Sequence, residues 1–280
     1  MMGGSTDESW GFTIVETMIV LVMTGFILGS AIIMVNGRQN RTRFQVAIGQ
    51  MQAQMYQIIN EVSNGYYPNQ NQLQCQAFTT GKPKITSGGT SQGGNHDCVF
   101  LGKVVQFGQG ATTDQQLVFP VAGRRLIGGT GSQEVTKLSE AQPLAIANTG
   151  VPGDSQVDLS EATTMASGLT VADMWINNNK SQKANALAFY SSFAAYEADA
   201  VSLKSGGISL EMYNVGNLQV GTSGKNQAVS AVNNNSVTKI KQADICLASG
   251  TTNESGLLTI GNMSGGDLSV KLSIFSGTTC

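Results

Sequence analysis

Charge is what this chain has least of. Asp, Glu, Lys and Arg together make up 12% of its 280 residues, about half the share usual in soluble domains. The formal net charge is −2, so the strongly basic surface on which a nucleic-acid binder depends is missing. Histidine is reduced to His96 alone. The four cysteines, Cys75, Cys98, Cys246 and Cys280, include no CxxC pair, which leaves a zinc or thioredoxin-like reading with little support. Gly128-Gly129-Thr130-Gly131 lacks the lysine of a phosphate-binding loop. Residues 1–11, MMGGSTDESWG, hold Asp7 and Glu8 but no Lys or Arg. That is a poor match to a cleavable secretory signal, which opens on basic residues and has an apolar core of about 7–15 residues.

What replaces charge is Gly, Ser, Thr, Asn and Gln, a texture common on secreted and cell-surface proteins. The hydrophobic fraction of 41% suffices for a buried core in one large domain or two small ones. The longest apolar run is Phe12 to Val35. At a rise of about 1.5 Å per residue it makes a helix of about 36 Å, enough to cross a hydrocarbon layer of about 30 Å with some tilt. Glu16 lies about one turn inside it. A carboxylate there either reaches back to the interface or has a partner within the membrane, and partnered acids mark functional positions.

The order of residues at this point is specific. Gly11 followed by FTIVETMIVLVMTGFIL resembles the N-terminal signature of type IV prepilins. The resemblance implies that a prepilin peptidase cuts between Gly11 and Phe12 and methylates the new N-terminal Phe12. It also implies that Glu16, fifth in the mature chain, pairs with the terminal amine of a neighbouring subunit during assembly. The partners it brings are other pilin subunits, the peptidase, an inner-membrane assembly platform and membrane lipid; it brings no cofactor. Two features depart from the family. Its leaders usually carry Lys or Arg, whereas this one is acidic. Arg38, Arg41 and Arg43 follow the span, so a positive-inside count puts the C-terminal side in the cytoplasm, opposite to what the resemblance implies. Widely spaced, even-numbered cysteines agree with the resemblance, because disulfides form outside the cytoplasm.

Beyond the span, Phe44, Ile48, Met51, Met55, Ile58 and Val62 recur at steps of three and four, the mark of one helical face. One unbroken helix is therefore expected from Phe12 to Asn64, stopped by Gly65 with Pro68 beyond. Gly25 and Gly29 form a GxxxG; they either allow close helix approach or loosen the helix, as the resemblance suggests is tolerated on entry into a filament. Short strands are expected at Cys98–Phe107, Gln116–Val121, Ala186–Phe193, Ile208–Val215, Ile245–Ala248 and Leu268–Ile274, the last alternating as a half-buried strand. Residues 127–182 show little pattern, with a small helix expected near Asp158 to Ser167. The expected fold is α+β and pilin-like: a long N-terminal helix on a mostly antiparallel sheet. The expected divisions are a leader at 1–11, a membrane and assembly helix at 12–35, its amphipathic continuation at 36–65 and an extracellular head at 66–280. Three disulfide pairings are open. The sequence-local one is expected, Cys75–Cys98 with Cys246–Cys280, and the latter resembles the C-terminal disulfide loop of many pilins.

Hidden chemistry is sparse. Gly89-Thr-Ser-Gln-Gly93 matches GxSxG, but that motif needs a strand before it and a helix after it. Here KPKITSG and GNHDC flank Ser91, and His96 sits in the same loop. His96 and Asp97 are adjacent and do not make a metal site. YYPNQNQLQ and VNNNS read as glycan-binding or as neutral surface. Arg38, Arg41 and Arg43 face lipid headgroups, neighbouring subunits or solvent. The expectation is a non-enzymatic subunit of a surface filament serving adhesion, motility or DNA uptake. Without residues 1–11 the chain is still large for a main-shaft pilin, which favours a minor or tip-associated subunit. The alternatives are a pseudopilin of a type II secretion system and, in another class, a membrane-anchored surface protein that binds glycans or hydrolyses a substrate without polymerising.

Overall fold

The computed structural model describes residues 13–65, 73–76, 81–88, 98–109, 112–127, 133–191, 210–250, 253–262, 268–277 and 280. Helix α1 is continuous from Ile14 to Ser63. It is rich in unbranched and aliphatic residues and contains no proline to interrupt its hydrogen bonding. Its end is chemical. Gly65 takes a left-handed φ of 63°, and its N–H donates to the Val62 carbonyl at 3.0 Å, closing the last turn where a Cβ would be strained. The chain falls into two units, Met1–Arg43 and Phe44–Cys280.

The second unit begins with the C-terminal part of α1. Phe44, Ala47, Ile48, Met51, Met55, Ile58, Ile59 and Val62 are buried, whereas Gln45, Gln50, Gln54 and Gln57 on the other face are exposed. Each large apolar side chain on the buried face contributes about 1.5–3 kcal/mol relative to exposure. In chain order follow β1 (Leu73–Gln76), β2 (Lys84–Ser87), β3 (Cys98–Gln109), β4 (Thr112–Arg124), β5 (Leu126–Ile127) and β6 (Gln133–Glu134). Then come α2 (Leu138–Ala141), β7 (Leu144–Ala145), β8 (Glu161–Thr164), β9 (Leu169–Ile176), β10 (Asn179–Lys183), β11 (Ala186–Ser191) and β12 (Leu210–Val215). The series ends with α3 (Lys225–Asn233), β13 (Val237–Ile240), β14 (Gln242–Ser249), β15 (Glu254–Asn262) and β16 (Leu268–Ser276).

Two sheets dominate. One runs β13-β12-β11-β3-β4-β7, with β8 also on β4; the other runs β10-β9-β14-β15-β16. Every pairing among the described strands is antiparallel. Both sheets share a core with α1, built from Phe107, Leu187, Phe189 and Met212 on the first and Val171, Met174, Ile245, Leu258 and Ile260 on the second. The first sheet has a second apolar face: Ala186, Ala188 and Tyr190 of β11 pack with Ala228, Val229 and Val232 of α3. This explains why β11 reads as a continuous apolar run, since both of its faces are buried.

Several expectations need correction. In place of one sheet, the described residues of the body form two large sheets and two small hairpins. The helix expected near Asp158 to Ser167 is absent; Glu161–Thr164 is strand β8, followed by a 3-10 turn at Ala166–Gly168. Backbone pairing of Gln115–Val118 with 161–164 overrides local preference there. The stretch read as having little pattern contains β9, a central strand of the second sheet. Helix α3 was not foreseen. In β16 only Val270 is fully buried, and Ile274 is 40% exposed, so its alternation is weaker than the sequence implies. The strand ends expected at 192–193 and 208–209 lie outside the described residues.

Both disulfides are present, Cys75–Cys98 and Cys246–Cys280, with Cα separations of 6.1 and 5.8 Å, in the ordinary range for such bonds. The first sits beside a small cluster in which Leu73 and Ile85 meet Leu144 and Ile146. The second fastens Cys280 to β14 on the face of the sheet opposite α1.

Candidate membrane-spanning and packing segment

Ile14–Ala31 is long and apolar enough to cross a membrane, and none of it is buried within the chain. Large side chains that a soluble fold would cover are open: Ile14 is 81% exposed and Phe26 80%. The hydroxyls in this stretch are internally satisfied. Thr17 donates to the Ile14 carbonyl at 2.8 Å, Thr24 to the Val20 carbonyl at 2.8 Å and Ser30 to the Ile27 carbonyl at 2.9 Å. Back-bonding of this kind lets Ser and Thr enter hydrocarbon without an unpaired donor.

Glu16 is the only ionisable residue of Ile14–Ala31. Its backbone N–H lies 3.3 Å from the Thr13 hydroxyl oxygen, and among the described residues no cation pairs with its carboxylate. Arg38, the next basic residue in the chain, is about 33 Å further along the helix at about 1.5 Å per residue. Along its own helix no described basic residue comes within reach of this carboxylate. Gly25 and Gly29 face open space, for a Cβ built at either meets nothing within 4 Å; among the described residues nothing requires glycine there. Arg38, Arg41 and Arg43 are exposed just beyond the apolar stretch. Gly11 and Phe12 lie outside the described residues, as do Ser91, His96, Asp97 and residues 128–131.

The head carries polar features that sequence reading missed. On the outer face of the five-stranded sheet Trp175 is only 4% exposed. Lys180 and Lys183 hold their ammonium groups 5.1 and 6.0 Å from its ring centre, within cation–π range. Lys180 also donates to the Cys280 carbonyl at 2.6 Å, and Lys183 pairs with Asp173. Beside them Asp244 is buried, accepting from Gln242 at 2.9 Å and Thr259 at 2.7 Å. No motif announces this arrangement, because β10 and β14 are far apart in sequence and meet on opposite sides of β9.

Burial and hydrogen bonding shift titratable groups elsewhere in the head. Burial pushes the Glu61 carboxyl up, but hydrogen bonds from Lys103 and Gln57 and the Lys103 charge outweigh it and hold the group below the usual glutamate value. Burial likewise pushes the Asp158 carboxyl up, but hydrogen bonds from Lys225 and Ser160 and the Lys225 charge outweigh it and hold the group below the usual aspartate value. Burial pushes Tyr190 well above the ordinary tyrosine range, and burial with the bond to Glu211 does the same for Tyr213. Among the described residues no three of His, Cys, Asp and Glu come together as metal ligands.

Compared with known families, with characterised proteins and with solved structures, the chain matches none.

Proposed function

We propose that this chain is a type IV pilin-like subunit, made as a precursor, cut between Gly11 and Phe12, held in the membrane by α1 and then polymerised into a surface filament. One observation carries the reading: an uncovered apolar helix with a single carboxylate continues without a break into a helix that forms the core of a disulfide-bonded head. A bare acid in mid-bilayer costs about 2.5–3.5 kcal/mol, less near the interface. Pairing with an amine from a neighbour removes most of that cost. A subunit docked out of register leaves both charges in hydrocarbon, where an unpartnered ion is strongly unfavourable. In a bundle whose other contacts are greasy and non-directional, that pair sets the register.

On this reading the chain acts by assembly and not by catalysis, with its head outside the cytoplasm. A minor or tip-associated pilin is favoured by size, and a pseudopilin of a secretion system shares the same chemistry. Mass spectrometry of the protein recovered from its native membrane tests the proposal. An N-methylated Phe12 at the mature terminus is expected. An intact leader, or cleavage elsewhere without methylation, overturns it.

A further inference from the structure

We propose that the open half of strand β16, Leu272 to Ser276, pairs antiparallel with the same strand of a second copy of this chain. The inference goes beyond the filament reading and borrows from it only the anchoring by α1.

Strand β16 is an edge of the five-stranded sheet and pairs with β15 along its length without a register shift. The Val270 N–H donates to the Tyr56 hydroxyl at 3.3 Å. The Val270 carbonyl accepts from Tyr56 at 3.0 Å and from Gln52 at 2.9 Å. Both backbone groups of Val270 thus point away from β15. In an antiparallel ladder that orientation recurs at every second residue, so Leu272, Ile274 and Ser276 also turn N–H and C=O outward. Among the described residues no hydrogen bond from α1 or a loop reaches those groups. At this level α1 lies over β15, since a Cβ on Gly256, the register partner of Ile274, would meet Ile48 at 2.5 Å. The edge beside it stays open.

Outward donors and acceptors in an extended line are matched by another strand, the geometry of β-augmentation. Natural edges deter such pairing with charge, proline, bulges or short length. The opposite edge, β10, carries Lys180 and Lys183 and an irregular register. Strand β13 has only four residues, Lys239 among them. LSIFS at 272–276 has neither charge nor proline, and Ile274 and Phe275 are 40% and 42% exposed.

A second copy fits this stretch. With a two-fold axis at Ile274, Leu272 faces the partner's Ser276 and the two Ile274 side chains meet. Lys271 then lies opposite the partner's Gly277, so no like charges come together. The outward groups of both copies make about six hydrogen bonds. Pairing past Leu272 would displace Tyr56 and Gln52 from Val270, which confines it to this half. Strand β16 runs antiparallel to the C-terminal part of α1, because Ile274 is level with Ile48 and Val270 with Gln52 and Tyr56. The two-fold pair therefore sets those helical segments antiparallel, as in copies borne on facing surfaces. So small an interface is weak singly and gains strength when many copies act at once.

The full chain reconstituted into phosphatidylcholine vesicles tests the pairing. Vesicles carrying wild type are expected to cluster with one another and not with protein-free vesicles. Ile274→Pro removes an outward N–H and keeps the ladder to β15, and Ile274→Lys adds a charge to the edge; each should lower clustering at least tenfold. No native cysteine is free, so Ile274→Cys supplies the one thiol. Its Cα separation across the axis, about 5.5 Å, suits a disulfide. Vesicles bearing it should cross-link at least tenfold faster than those bearing Val151→Cys, a head position that is 53% exposed. Equal rates for the two cysteine variants, clustering with bare vesicles, or clustering untouched by both edge substitutions overturns the proposal. Should the proline variant not fold, the lysine and cysteine variants decide. Cross-links formed only within single vesicles overturn the facing arrangement. An unprocessed N-terminus sinks the filament reading alone. A chain that does not enter vesicles sinks the anchoring, and cross-linking of Ile274→Cys in detergent then decides the pairing.

Discussion

Lys103 Nζ lies 2.5 Å from Glu61 Oε2 with side-chain exposures of 12% and 23%, so strand β3 is tied to the last turn of α1 by a largely covered ion pair. Gln57 donates to the other Glu61 oxygen at 2.8 Å. Truncating one partner leaves the other charge half-buried and alone, which is where the penalty of such pairs resides. Glu61→Gln is expected to cost on the order of 1 kcal/mol, a fall in Tm of about 2–4 °C for a domain of this size. The folded carboxyl titrates below its ordinary value of 4.5. Its contribution is therefore present above that value and lost as pH falls through the folded one. Calorimetry from pH 7 downward should show wild type and variant converging in acid. A constant gap at all pH values would contradict this account.

Gly102 makes a sharper prediction. It sits at φ 155°, where the β3–β4 register shifts, and a Cβ there would fall 1.9 Å from the Phe189 carbonyl oxygen. That oxygen is backbone in the middle of the seven-stranded sheet, so it has little freedom to withdraw. Gly102→Ala should cost about 3 kcal/mol or more through combined clash and strain. Gly150→Ala offers a control: its φ of 78° is also left-handed, but the space beside it is empty, and about 1 kcal/mol is expected. Equal denaturation midpoints for the two variants would show that the close approach does not matter.

The Cys246–Cys280 bond closes a separation of 34 residues, and its removal is expected to cost about 4 kcal/mol by loop-closure reasoning. It should also have an optical signature. Lys180 contacts both the Cys280 carbonyl and the Trp175 ring, so freeing residue 280 loosens the cation above the indole. Cys280→Ser should lower Tm and change tryptophan emission in the folded state, with Cys75–Cys98 still found intact by non-reducing peptide mapping. Unchanged emission would mean that Lys180 keeps its place without Cys280.

What the sequence discloses depends on which force shapes each element. The four-three spacing from Phe44 to Val62 reports one helix face against a core, and that face is buried. Strands β3, β4 and β11 carry runs of apolar residues and were legible for the same reason. Strand β8 was not: all four of its side chains are exposed, and it is held only by backbone hydrogen bonds to β4, which leave no hydrophobic mark. Asp173 breaks the alternation of β9, where a register shift falls opposite Cys246 and Leu247. Helix α3 is short and polar on one side, so AVSAV reads equally as strand. The apolar run and Glu16 were plain in the letters, whereas the Trp175 surface depends on strand order that no local pattern encodes.

The last prediction concerns Glu16. If the carboxylate serves register, removing its charge makes the span more apolar and should leave membrane retention intact or stronger. What should fail is joining to other subunits, since the mismatched alternatives no longer carry a penalty and the neighbour's amine has no partner. Glu16→Gln is therefore expected to stay in the membrane fraction, keep both disulfides and enter filaments at least about tenfold less than wild type, the factor that 1.4 kcal/mol produces. Glu16→Asp keeps the charge on a shorter arm and should retain part of the activity. Gly25→Ala, by contrast, meets open space within the chain, so any loss it causes measures close approach by another helix and not the fold of this one. Full incorporation of the glutamine variant would reduce α1 to a simple anchor, because a register device that works without its charge is not a register device.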